Sequence, residues 1–185
     1  MAVDSVGNVY VCSNEGNGFS SISVYAPGQT SPGSSITSGL IRSPNQIALD
    51  GEHNLYITDS KFGVLVVPQG TQNVEKLRLH GLANDASGIA LGPLDGSFYI
   101  SCPGPQYLYR YPSGQKHTSD WLRTNYGANF LAVGVLKGQQ VVFAPDSTGS
   151  ISTVYVYNWL LANPKPIITS GGPVQGVAFK PAGAL

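Results

Sequence analysis

Four neutral polar residues, Asn45, Ser87, Asn129 and Gln175, recur at one position of a repeating phrase, separated by 42, 42 and 46 residues. Amide and hydroxyl side chains brought to a common mouth can bind a sugar hydroxyl, a peptide carbonyl or ordered water. The other reading is that they satisfy backbone groups of their own loops around a water-filled channel. Two aromatics form a second candidate: Phe19, after Gly16-Asn17-Gly18, and Phe62, in Lys61-Phe62-Gly63. They occupy equivalent loops, and exposed there they would make a contact patch for a partner or a glycan; the alternative is that they tuck beneath the loop.

The remaining reactive residues point away from catalysis. His53, His80 and His117 share no repeat position and form no HxH or HExxH spacing, so no metal site is assigned to them. Asp4, Asp50 and Asp95 each closely precede a glycine, the chemistry of a hairpin in which Asp bonds local backbone and Gly accepts positive φ. Asp59 ends a strand and is expected to cap the loop that follows. Cys12 and Cys102 lack CxxC spacing and read as two half-buried strand thiols. A nucleophile elbow, a Walker loop and a GxGxxG element are all missing, so no catalytic residue is assigned.

The elements that must position these residues are short strands. An apolar residue, Ala and another apolar residue, then a turn and a β-rich run, recur as Met1-Ala2-Val3-Asp4, Ile47-Ala48-Leu49-Asp50, Ile89-Ala90-Leu91-Gly92 and Leu131-Ala132-Val133-Gly134, with a fifth start at Val177-Ala178-Phe179. The spacings of 46, 42, 42 and 46 residues match the period of a propeller blade, about 40–50 residues. Each period divides into four strands; in the second these are 46–50, 54–58, 63–67 and 75–79. In the last of them Leu77 and Leu79 alternate with Lys76 and Arg78, as on an outer strand with one wet face. Second strands recur at 8–12, 97–101 and 140–144, and third strands at 21–25, 106–111 and 153–157. Pro and Gly interrupt nearly every longer window, leaving residues 157–162 as the one place for a short helical turn. Tyr10, Tyr56 and Tyr99 are locked to one strand position and are expected to pack between blades with their hydroxyls reaching water.

The expected fold is therefore all-β: four propeller blades of four antiparallel strands (about 1–42, 43–84, 85–127 and 128–172) and the inner strand of a next blade at 173–185. Five inner strands against four blades imply either a piece of a larger ring or a second copy that completes it.

The phrase Ser43-Pro44-Asn45-Gln46-Ile47-Ala48-Leu49-Asp50, followed by Asn54-Leu55-Tyr56-Ile57-Thr58-Asp59, resembles the NHL repeat and the blades of SMP-30/gluconolactonase-like propellers. The match is fuller in the first two repeats; Gly92 and Gly134 replace the turn Asp in the others. The SMP-30-like resemblance implies a divalent cation, calcium for instance, at the channel mouth, with Asn45 and Asn129 as ligands in a lactonase, hydrolase or lyase. The equivalent positions lack the carboxylates that a hard cation commonly takes.

Composition narrows the partners. Lys plus Arg and Asp plus Glu number ten each, so no surplus of charge points to nucleic acid. No apolar run approaches the roughly 20 residues of a membrane span. The 23 Gly and 13 Pro suit many tight turns, and the low charge content favours an extracytoplasmic protein. The expected function is a non-enzymatic scaffold, without a cofactor, that binds a protein, peptide or glycan through its loops. The SMP-30-like enzyme is the alternative.

Overall fold

The computed structural model describes residues 1–14, 20–83, 85–118, 120–124, 127–146, 152–158 and 161–170. The strands are β1 Ala2–Val3, β2 Val9–Asn14, β3 Ser20–Tyr25, β4 Ser34–Thr37, β5 Pro44–Leu49, β6 Leu55–Asp59, β7 Gly63–Val67 and β8 Glu75–Lys76. They continue as β9 Gly88–Leu91, β10 Phe98–Cys102, β11 Tyr107–Tyr111, β12 Asp120–Arg123, β13 Ala132–Leu136, β14 Gln139–Asp146, β15 Ser152–Asn158 and β16 Leu161–Ser170. Every pairing is antiparallel between sequence neighbours, giving four sheets of four strands: β1 to β4, β5 to β8, β9 to β12 and β13 to β16. These are four propeller blades, each a meander, and no helix occurs among the described residues. The inner strand expected at 173–185 lies outside them.

The chain divides into two compact units, Met1–Ala86 and Ser87–Leu185. In the first, the strand alternation seen in the sequence builds the core. Leu55, Ile57, Leu65 and Val67 of the second blade meet Ile22 and Ile36 of the first, with Ile41 and Ile47 beside them. Burying each such side chain contributes about 1.5–3 kcal/mol. In the second unit, Ala90, Tyr99 and Leu108 of the third blade join Val142, Ala144 and Tyr157 of the fourth, with Ala128 and Leu131 in the connection. The third blade packs tightly where it starts: a Cβ at Gly88 would lie 2.9 Å from the Leu131 side chain and 3.2 Å from its backbone nitrogen.

Three local expectations change. Tyr157 and Asn158 belong to β15, and Leu161 and Ala162 to β16, where Asn158 pairs with Leu161. At these residues strand pairing takes the place of the helical turn; Trp159 and Leu160 lie outside the described residues. In the second blade's first turn, positive φ falls on His53 (65°) and not on Gly51. His53 aligns with Gly7 (φ 90°) of the first blade, so the turn geometry fixes the position whatever residue stands there. Finally, the outer strand of the second blade is shorter than 75–79. Leu77 donates once more to the Val64 carbonyl at 2.9 Å; beyond Val64, β7 has only Gly63, whose φ of 78° departs from a strand.

Candidate functional site

The second blade places its loop chemistry through one carboxylate. Asp59, at the end of β6, is fully buried. Its Oδ2 accepts the N–H groups of Arg42 and Ser43, each at 2.8 Å, and its Oδ1 those of Lys61 and Phe62 at 2.9 and 3.2 Å. One side chain thus fixes both the entry to β5 and the loop between β6 and β7. It caps that loop as its strand-end position suggested, and it holds the β5 entry as well.

Asn45 stands on that entry. Pro44 pairs with Asp59 and Ile47 with Ile57, so Asn45 and Gln46 together oppose Thr58 in a bulge. Bulges of this kind re-aim a side chain. Thr58 holds it closed, donating to the Gln46 carbonyl and accepting the Gln46 N–H, both at 3.1 Å. The Asn45 amide donates to Ser60 Oγ at 2.8 Å and to the Ala86 carbonyl at 3.4 Å. In the second unit, Ser87 is buried and its hydroxyl donates to the Asn129 carbonyl at 2.9 Å, while Asn129 itself is exposed. Asn45 and Ser87 therefore both tie loop backbone in place. Gln175 lies outside the described residues.

The neighbourhood of Asn45 does not fit the divalent cation that the SMP-30-like resemblance implies. Its amide is held by a hydroxyl and a carbonyl, and the adjacent carboxylate, Asp59, already accepts four N–H groups. Among the described residues no three His, Cys, Asp or Glu side chains gather into a metal cage.

Ser60 is followed by Lys61 and Phe62, and these two line a cleft of about 370 Å³. Val64, Lys76, Leu77, Arg78 and Leu79 are among its other walls. Phe62 is half-buried against the core, and the Lys76 ammonium lies 4.2 Å from its ring centroid, a cation–π contact. Phe62 is thus neither fully exposed nor tucked away, and its Lys76-covered face belongs to the cleft. Phe19 lies outside the described residues. Lys61, Lys76 and Arg78 are exposed, Leu77 and Leu79 half-buried, and no Asp or Glu is in the lining. The cations escaped the sequence reading because Lys61 and Lys76 are brought together only by the β6–β7–β8 meander. The alternation from Lys76 to Leu79 was the one available signal.

The three turn aspartates act as turn residues. Asp4 accepts the backbone N–H groups of Val6 and Asn8, and Asp50 that of Asn54. Two of the three repeat-locked tyrosines donate to them: Tyr10 to Asp4 at 3.2 Å and Tyr56 to Asp50 at 2.9 Å. Their hydroxyls therefore close the turn of their own blade, where the sequence suggested contact with water. Burial, with the adjacent Asp50 carboxylate, raises the Tyr56 phenol. Cys12 is half-buried, with desolvation raising its thiol, and Cys102 is buried; neither forms a disulfide.

No family model matches the chain, and no curated protein matches it. Solved structures do. A chain of Kuenenia stuttgartiensis hydrazine synthase superposes with a TM-score of 0.65 at 16% identity, over 90% of this chain and 48% of that one. BBS1N, solved in complex with ARL6DN, superposes with a TM-score of 0.58 at 16% identity, over 95% of this chain and 54% of that one. This chain spans about half the length of each. At such identity the likeness is one of fold.

Proposed function

We propose that this chain is a propeller segment that serves as a protein-binding scaffold, with the cleft of the second blade as its contact surface. The observation that carries the reading is the composition of that cleft. An aromatic ring and three exposed cations surround an apolar floor without a carboxylate among them, whereas Asp4, Asp50, Asp59 and Asp95 are engaged in holding backbone. Aromatic and Arg side chains around an apolar centre are the features that dominate protein interfaces. The NHL-like phrase of the first two repeats is in keeping with a blade that carries its function in loops. BBS1N, similar in fold, is itself in complex with another protein.

A photoreactive residue at position 61 of the full-length protein tests this. The expected product is a protein adduct of defined mass that disappears in Phe62→Ala. Adducts formed equally well from an exposed position outside the cleft, such as Thr30, would refute the assignment.

A further inference from the structure

We propose that the cleft of the second blade receives an extended acidic peptide segment of the partner, laid along the outer edge of β8. This rests on the scaffold reading and names the chemistry of what the scaffold holds.

Charge is the first argument. The chain is neutral overall with ten Lys and Arg, yet three of those ten, Lys61, Lys76 and Arg78, line this one cleft. None of the three is in an ion pair among the described residues. Arg110 of the third blade makes the contrast, since it reaches both Asp95 at 2.9 Å and Asp120 at 3.4 Å. Glu75 precedes Lys76 in β8 but is outside the lining. A concentrated positive field of this kind complements an acidic ligand.

Backbone geometry supplies the second argument and selects a peptide over an acidic glycan. β8 is the last strand of its sheet. Leu77 donates to Val64, and Leu65 pairs with Lys76. In an antiparallel ladder alternate residues turn their N–H and C=O to the same neighbour, so those of Lys76 face away from β7. An edge of that kind accepts an added strand, whose side chains then alternate between two faces. From Lys76 to Leu79, exposure alternates between cations and half-buried leucines. The matching segment alternates acidic and apolar residues: its acids meet Lys76 and Arg78, and its apolar side chains meet Leu77 and Leu79. A sulfated sugar would satisfy the charges but not the ladder.

Fluorescence anisotropy on the full-length chain tests the assignment with four labelled probes. These are a short peptide of alternating Glu and Val, the same composition in two blocks, the alternating peptide with Lys for Glu, and a sulfated hexasaccharide. The alternating acidic peptide is expected to bind best, to weaken as salt rises, and to lose roughly tenfold in affinity in Lys76→Glu/Arg78→Glu. It should also slow hydrogen exchange at the Lys76 amide. Equal binding of the two-block peptide, tighter binding of the hexasaccharide, binding of the Lys peptide, or no slowing at Lys76 would each overturn the proposal. Circular dichroism of the double variant checks that it folds, and Lys61→Gln gives a milder second reading. If no acidic peptide binds while the photoreactive residue at position 61 still captures a protein, the peptide assignment fails and the scaffold reading stands. If both fail, so does the scaffold reading.

Discussion

The first turns of the first and third blades do the same job with different parts. In the first unit each turn is self-contained. Val3 pairs with Val9 and Leu49 with Leu55, leaving five residues between, and the first of the five is an Asp. Asp4 accepts from the Asn8 backbone and side chain and from Tyr10, and Asp50 does the same with Asn54 and Tyr56. In the third blade Leu91 pairs with Phe98, so the turn holds six residues. The extra residue displaces the carboxylate to Asp95, and Tyr99 loses its Asp partner. Gln140 of the fourth blade takes that place, donating to the Tyr99 hydroxyl at 2.8 Å and to Asp95 at 2.9 Å. One inserted residue thus converts a clamp within a blade into a clamp between blades, and it explains why position 92 is Gly. A Cβ there would press into the Gln140 amide and Asp95.

The largest expected effect lies in the self-contained unit. Asp59→Ala takes the carboxylate acceptor from the N–H groups of Arg42, Ser43 and Lys61, while Phe62 keeps the backbone carbonyl of residue 59 at 3.3 Å, and each stranded group costs about 1–3 kcal/mol when water cannot reach it. Relaxation of the loop recovers part, so a loss of about 3 kcal/mol or more in chemical denaturation is expected. Hydrogen exchange should quicken at Ser43 and Lys61. Because the same carboxylate sets Lys61 and Phe62, adduct formation from position 61 should fall as well. A loss below about 1 kcal/mol would mean that water replaces Asp59.

Next comes the position that distinguishes the two turns. Gly92→Ala overpacks against Gln140 and is expected to destabilise by about 1–3 kcal/mol. Gln140→Ala alone loses three hydrogen bonds, those to Tyr99 and Asp95 and the one accepted from the Leu94 N–H, about 1 kcal/mol each. The double variant Gly92→Ala/Gln140→Ala should cost less than the sum of the singles, because removing the glutamine makes room for the methyl group. Additive losses would show that Gly92 is needed for its backbone and not for the approach of Gln140.

How much of this was legible in the sequence follows from what sets each feature. The blades were readable because strand alternation and turn glycines are local, and Leu55, Ile57 and Leu65 are buried as that alternation requires. Asp4, Asp50 and Asp95 were readable as turn residues for the same reason. The partners of the tyrosines were not, since they depend on whether a turn has five residues or six. Nor was the cationic cleft, which joins residues from two loops. The chemistry of Asn45 and Ser87 was legible only as a choice, and in each the side chain holds backbone.

A smaller effect separates the clamps by pH. In the third blade desolvation pulls Asp95 upward, but hydrogen bonds from Gln140, the Ser97 N–H and Arg110 outweigh it and lower the carboxyl to about 2 from an ordinary 3.8. An acid held below its unfolded value stabilises the fold fully above about pH 4, and that contribution disappears as the pH falls through about 2. About a third of the side chain remains exposed, so screening keeps the contribution small. Asp95→Asn should therefore be less stable than the parent at neutral pH, with the difference narrowing between pH 4 and 2 in thermal melts. A constant difference across that range would mean that the carboxylate charge contributes nothing.

The smallest effect tests whether geometry or side chain matters in the self-contained turns. His53 holds a φ of 65° where the first blade has Gly7, a conformation that costs a residue bearing a Cβ about 1 kcal/mol. Against this, His53 Nε2 lies 2.9 Å from Ser5 Oγ, an exposed hydrogen bond between the two turns. Exposed bonds of this kind contribute about 0.5 kcal/mol, so relief of the backbone should win and His53→Gly should stabilise by a few tenths of a kcal/mol. His53→Ala keeps the strain and loses the bond, so it should destabilise. If both variants lose stability equally, the link to Ser5 outweighs the backbone. The first two turns would then also be joined across blades, and the contrast with Gln140 would be one of degree.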